Sequence, residues 1–199
     1  MCIRDSTDTV VIEDDFNTEL RYRISPQPAL SSLATRADVL TLGTFSTLLS
    51  RELAAGYVVA SPATVARLKE VRGILGMPVA TVTQRAIASL LHGGVVRRNT
   101  RAVHRALAQR RQLLQDRLVP LFDDARLAPG DGADLTVQFS SHLARDAFET
   151  RLLEAGIECG HESSLWTDGG DGLVFSFAHL SDGEFTRTVD IIGQTIHPY

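Results

Sequence analysis

Two short stretches gather the polar groups from which a ligand site could be built. IEDDF at 12–16 sets two adjacent aspartates, Asp14 and Asp15, at the end of an apolar run. GTFSTLLS at 43–50 places Thr44, Ser46 and Thr47 within four positions, just behind Gly43. A threonine hydroxyl is a poor nucleophile without a positioned base, and it cannot form an imine. These groups therefore suit holding a ligand better than bonding to it. The one lysine, Lys69, lies on a predicted helix one strand beyond the hydroxyl turn, too far along to stand in as its amine. Cys2 and Cys159 form no CxxC pair, which argues against a zinc site or a disulfide framework and fits a reducing, cytoplasmic setting. PGDGAD and TDGGDGL lack the ligand spacing of a calcium loop and read as turns, so no metal site is expected.

The other charged feature is a run of arginines, Arg97, Arg98, Arg101, Arg105, Arg110 and Arg111. No aromatic residue interleaves with them, so bases would have no stacking platform, and the run reads as the solvated face of a long helix. A net charge of −4 and a pI near 5.8 do not give the basic footprint of a stand-alone nucleic-acid binder. No apolar run approaches bilayer length, so no membrane role is expected.

The elements that must position these residues begin with three short apolar runs, at 8–13, 38–43 and 56–60. Continuous apolar runs of this length predict strands buried on both faces of an α/β sheet. Ser61-Pro62 gives an N-cap and a proline at the first helical position. Val65, Leu68, Val71 and Leu75 stripe that helix, which Gly76 and Pro78 end. Val79, Val82, Ala86, Ile87, Leu90 and Leu91 stripe the next, closed by Gly93-Gly94. A long helix is predicted over about 96–126. From residue 131 the pattern becomes compact α+β. Leu135, Val137 and Phe139 alternate on a strand, and a helix over 143–155 ends at Gly156. IEC at 157–159 reads as a short strand, and Leu173, Phe175 and Phe177 alternate on another. Ser181-Asp182-Gly183-Glu184 is a capping box for a last helix striped by Phe185, Val189, Ile192 and Ile196.

Residues 1–6, MCIRDS, carry no helix, strand or signal-peptide pattern and resemble translated sequencing-adapter sequence, so they are expected to be a non-native tail. A core strand almost at the first residue leads us to expect a chain that has lost what came before it. The expected organisation is the later part of a large domain at 7–95, a connecting helix at 96–130 and a small domain at 131–199.

Taken in order, IEDDFNTELRY, LGTFS, GYVV and the tail FAHLSDGEF resemble the aminotransferase-like domain of the MocR subfamily of GntR-like bacterial transcription regulators. The resemblance covers about residues 7–199. It implies an α/β fold: the later strands of the mixed sheet of a fold-type-I, pyridoxal-phosphate-dependent transferase large domain, followed by a C-terminal α+β small domain. In such sites a lysine forms the imine with the cofactor aldehyde, an aspartate keeps the pyridinium nitrogen protonated, and hydroxyls and an arginine hold the phosphate.

Carried over residue by residue, the resemblance puts Asp14 on the pyridinium partner, with Asp15 one alignment step away. Phe16 falls on the tyrosine that bonds the ring hydroxyl, keeping the ring and losing the donor. Thr44 and Ser46 fall on phosphate-binding hydroxyls, Thr47 on the imine-forming lysine and Ala54 on the phosphate arginine. Less securely, Ser164 in HESSLW falls on the arginine that holds the substrate carboxylate. Four polar functions are thereby lost. The expectation is a non-catalytic remnant site, a pseudoenzyme in which covalent binding of pyridoxal phosphate is not expected. The chain would be the effector-binding and dimerisation portion of a regulator. It would act as a homodimer, respond to a small-molecule effector and meet DNA only through an N-terminal winged-helix domain absent from this chain. The alternative is a fragment of a class I/II aminotransferase.

Overall fold

The computed structural model describes residues 9–16, 18–22, 28–34, 37–76, 79–121, 126–160 and 171–195. The chain divides into two units. One is formed by residues 1–20 and 25–103, the other by 21–24 and 104–199.

The first unit is built on a three-stranded sheet, β1 (Val10–Asp15), β2 (Asp38–Thr44) and β3 (Gly56–Val59), in that order. β1 and β2 run parallel, with Val10 opposite Asp38 and Asp15 opposite Gly43, and β3 returns antiparallel with Thr44 opposite Gly56. A parallel pair needs a crossover, and among the described residues the chain between β1 and β2 carries a 3₁₀ turn, Thr18–Leu20, and one short helical turn, α1 (Leu30–Leu33). Glu13 ties this crossover to the sheet: it accepts from the Leu30 N–H at 3.0 Å and the Thr41 hydroxyl at 2.9 Å.

Helix α2 (Pro62–Leu75) starts as its sequence requires. Ser61 caps the Thr64 N–H at 3.3 Å, Pro62 occupies the first turn, and Gly76 ends the helix at a φ of 62°. Asp38 at the start of β2 accepts from the Ser61 and Thr64 hydroxyls, which fixes where the helix begins. Helix α3 (Thr81–His92) ends on Gly93, and Gly94 turns the chain at a φ of 66° into α4 (Val95–Leu118).

The predicted apolar stripes are present here, but little covers them. α2 buries none of its described side chains, and α3 buries only Ile87. Val10, Ile12 and Val58 are also exposed, so these strands are not buried on both faces as their composition predicts. Periodicity determines which residues share a face; it does not supply the partner layer.

The second unit holds a filled core. β4 (Arg126–Leu127), β5 (Asp134–Phe139) and β6 (Asp171–Ser176) form an antiparallel sheet, which α5 (His142–Glu154) packs against, and α6 (Asp182–Thr195) follows. Leu135, Val137, Leu173, Phe175 and Phe177 turn inward as their alternation predicts, with Leu118, Leu152 and Ile192 fully buried alongside. The capping box forms: the Ser181 N–H donates to Glu184 at 2.8 Å and the Glu184 N–H to the Ser181 hydroxyl at 3.3 Å. Ile196 lies outside the described residues.

Two elements depart from expectation. The long helix stops at Leu118 rather than near 126, and a single 3₁₀ turn, Val119–Leu121, follows it. Pro120 is the cause, because it disfavours helical backbone in the residue before it and cannot donate. Ile157–Cys159 is not a strand. Gly156, at a φ of 76°, and Ile157 close the end of α5, with the Ile157 N–H on the Leu152 carbonyl at 2.8 Å, and only a single bridge, Gly160 to Val174, follows. The last two arginines of the run are structural too. Arg111 is buried, with Nη1 on the Asp134 carbonyl at 2.6 Å, and Arg110 binds the carbonyls of Phe177 and Leu180 and the Asp182 carboxylate.

Candidate cofactor-site remnant

Because β1 and β2 are parallel, their carboxyl ends lie side by side, the edge at which α/β sheets bind ligands. Side chains alternate along a strand, and partners in register share a face. Asp14 is opposite Leu42, so Asp14 and Thr44, two residues beyond Leu42, share one face. Phe16, immediately past the end of β1, is exposed. Asp15 pairs with Gly43, and Gly43 with Tyr57, so these three form a row on the opposite face.

That opposite row is tightly built. A Cβ on Gly43 would lie 2.2 Å from Cζ of Tyr57, so only glycine lets the ring lie against the strand. Phe45 packs on Tyr57 with ring centroids 5.2 Å apart. Burial, then the nearby Glu19 and Asp15 carboxylates, push the Tyr57 phenol above its ordinary range. Burial and then Asp15 likewise raise Glu19. Asp15 therefore belongs to an acidic group around Tyr57, while Asp14 stays on the face with Thr44.

The hydroxyl turn is held from both ends. The Phe45 N–H donates to the Ala55 carbonyl at 3.1 Å, and the Leu49 N–H to Phe45 at 2.9 Å. Thr44 accepts from the Ser46 N–H at 3.0 Å. Leu48 plugs the core beneath the turn, and its carbonyl accepts from the Asn99 side-chain amide. Thr47 sits half-buried between Ser46 and this plug. Ala54 adopts a left-handed φ of 44°, which costs a non-glycine residue about 1–2 kcal/mol. It is exposed, and its methyl offers no charge.

Between β2, β3 and α2 lies a hollow of about 620 Å³ lined by Leu42, Gly43, Tyr57, Val58, Lys69 and Arg72 among others. Lys69 thus borders a hollow that Gly43 also borders and that Thr47 does not line. Asp14, Phe16, Thr44, Ser46 and Thr47 gather at one end of the parallel pair. Ser164 lies outside the described residues. Sequence reasoning gave no role to Tyr57, Glu19, Leu48 or Asn99. The glycine followed later by GYVV was the available signal for the first, and nothing local marks the other three. Among the described residues no cluster of metal-ligating side chains occurs, and no helix is long and apolar enough to cross a membrane.

A family model for aminotransferase class I and II matches residues 10–192. The HTH-type pyridoxine biosynthesis transcriptional regulator PdxR of Corynebacterium glutamicum is 37% identical over 175 residues, covering 87% of this chain and 38% of its own length. The probable rhizopine catabolism regulatory protein MocR of Rhizobium meliloti is 29% identical over 106 residues, 53% of this chain and 22% of its own. Among solved structures, LysN, an α-aminoadipate aminotransferase from Thermus thermophilus, superposes with a TM-score of 0.71 at 23% identity, over 94% of this chain and 50% of LysN. The chain thus spans about two fifths of the length of the first of these relatives and half of the aminotransferase. The mixed sheet followed by an α+β unit agrees with the fold of that aminotransferase structure, and with the family model matching residues 10–192 it follows that this chain belongs to the aminotransferase class I and II family.

Proposed function

We propose that this chain is the effector-binding and dimerisation portion of a MocR-like DNA-binding transcription regulator, carrying a degenerate pyridoxal-phosphate site that performs no catalysis. The observation that carries the reading is Thr47. The family resemblance assigns it to the position at which the chemistry requires an amine, and the backbone around it is tightly held. Asp14 on the same face as Thr44, with Ser46 in the turn, suits the ring nitrogen and phosphate of a cofactor held without a covalent bond. Thr47 and Ala54 supply neither amine nor guanidinium, so the residues do not fit covalent retention, and no catalytic step runs through the group.

In the whole regulator an effector seated at this edge would shift the geometry of a cytoplasmic homodimer, and a winged-helix segment would carry the DNA contact. The likeness to the HTH-type regulator PdxR, of which this chain spans 38%, supports that division of labour. The test is borohydride reduction of the purified chain mixed with pyridoxal phosphate, followed by peptide mass mapping. The expected result is no reduced adduct on the chain near the strand ends. An adduct on Lys69 would overturn the reading, because that side chain would then have replaced the missing amine. A second reading, a fragment of a class I/II aminotransferase, is favoured by the likeness to LysN. The coding sequence upstream separates the two: a winged-helix segment supports the regulator, an aminotransferase start without one supports the enzyme fragment.

A further inference from the structure

We propose that the arginine face formed by Arg97, Arg98 and Arg101 on α4 docks the phosphate backbone of duplex DNA without reading its sequence. The charge of the chain is segregated. Residues 71–115 contain eight arginines and no aspartate or glutamate, a formal +8, while the remainder of the chain carries −12. Arg97, Arg98 and Arg101 are all exposed, and among the described residues none of them forms an ion pair; Arg98 Nη1 donates to the Gly93 carbonyl at 3.0 Å, which holds it beside Arg97. The contrast with the second unit is direct: there Arg21, Arg110 and Arg145 are each engaged by carboxylates.

The side chains converge rather than scatter. A Cβ on Gly94 would meet Arg98 Nη1 at 3.5 Å and Arg97 Nη2 at 3.9 Å, so both guanidinium groups lie over the same glycine. Arg101 follows Arg97 by one helical turn, about 6 Å along the axis, on the same side. A DNA duplex carries one phosphate charge per about 1.7 Å of its axis, so a row of this length meets several phosphates at once.

The absence of aromatic residues selects the kind of nucleic acid. Residues 58–121 contain no Phe, Tyr or Trp, so a single strand finds no stacking platform, whereas a duplex backbone needs only cations. The inference goes beyond the effector reading and stands whether or not the strand-end site takes a ligand.

The test uses the full chain and fluorescence anisotropy, with a labelled DNA duplex of arbitrary sequence, the corresponding single strand and phosphatidylserine vesicles, over a salt series. The expected result is sequence-independent duplex binding at low salt that exceeds single-strand binding. Combined Arg97→Gln, Arg98→Gln and Arg101→Gln should lower the slope of log affinity on log salt by about 3, near one per lost contact. Each single replacement should lower it by about 1, which keeps the test available if the triple variant folds poorly. Arg187→Gln on α6 should leave the slope unchanged. No duplex binding at low salt, an unaltered slope in the Arg97→Gln and Arg101→Gln variants, or preference for vesicles would each overturn the proposal. A chain that ignores duplex DNA yet binds an effector would sink this inference and leave the regulator reading standing.

Discussion

Thr47 is half-buried in a turn fixed by backbone hydrogen bonds on both sides, so exchanging its side chain alters chemistry more than shape. Thr47→Lys should therefore fold, yet it should recover little transamination. Ala54 still lacks a guanidinium, and Phe16 still lacks a hydroxyl. Substantial activity of that single variant with an amino-acid donor, followed by product formation, would show the pocket to be more complete than its residues imply. A second residue-scale prediction concerns Asp171, which is buried in the small unit. Burial alone would raise its carboxyl, but His142, Arg145 and the Gly172 N–H outweigh that and hold it below the ordinary carboxylate range. A carboxylate depressed in the folded state contributes stability that is present above its unfolded pKa and is lost as pH falls through the folded value. Asp171→Asn leaves buried Arg145 without that partner. Arg145 keeps Asp146 and Glu149, so the change should cost about 1–3 kcal/mol at neutral pH and flatten the acid limb of the stability profile, as read by denaturant titration from neutral to acidic pH. The hydroxyl turn, the N-cap at Ser61 and the capping box at Ser181 were legible because their partners lie within a few residues. The Asp171 cluster was not, since His142 and Arg145 come from more than twenty residues away.

At the scale of elements, Gly43 illustrates what a motif conceals. In the sequence it precedes a hydroxyl turn, but in the fold it is the flat surface on which Tyr57 lies across the β2–β3 pair. Gly43→Ala should destabilise the chain by about 1–3 kcal/mol through overpacking, and Tyr57→Ala in the same chain should recover part of that loss. Denaturant midpoints of the single and double variants measure the coupling, and additive losses would show that the ring simply moves aside. Three strands were legible in the apolar runs and a mixed sheet in the family resemblance, whereas strand order and direction emerge only in the fold, because pairing joins residues far apart in the chain. Helix ends were legible where a breaker acts locally, as at Gly76 and Gly93. Apolar periodicity continues past the end of α4, where Pro120 overrides it, and Ile157–Cys159 has strand-like composition without being a strand, because pairing depends on a distant partner.

Across the whole molecule the two units differ in how well they are filled. Among the described residues, thirteen of the seventeen exposed large hydrophobic side chains belong to the first unit, and fourteen of the nineteen buried ones to the second. Apolar surface on that scale, gathered on one unit, drives association. The purified chain should therefore sediment as a concentration-dependent mixture of species, and a single ideal monomer across the range would contradict this. Composition could not foresee the imbalance, because hydrophobic residues are plentiful in both halves and only the fold shows which ones lack cover.

The short segment 21–22 has a further consequence. It sits in the chain between β1 and α1, yet Arg21 donates to Asp131 at 3.1 Å, the Tyr22 N–H reaches the same carboxylate at 2.8 Å, and Tyr22 stacks near His104. The polypeptide therefore crosses between its units three times, after residues 20, 24 and 103. A protease that nicks the chain at the third crossing separates nothing cleanly: the amino-terminal piece still carries a latch that the carboxyl-terminal piece needs, so the two fragments are a split pair rather than two modules.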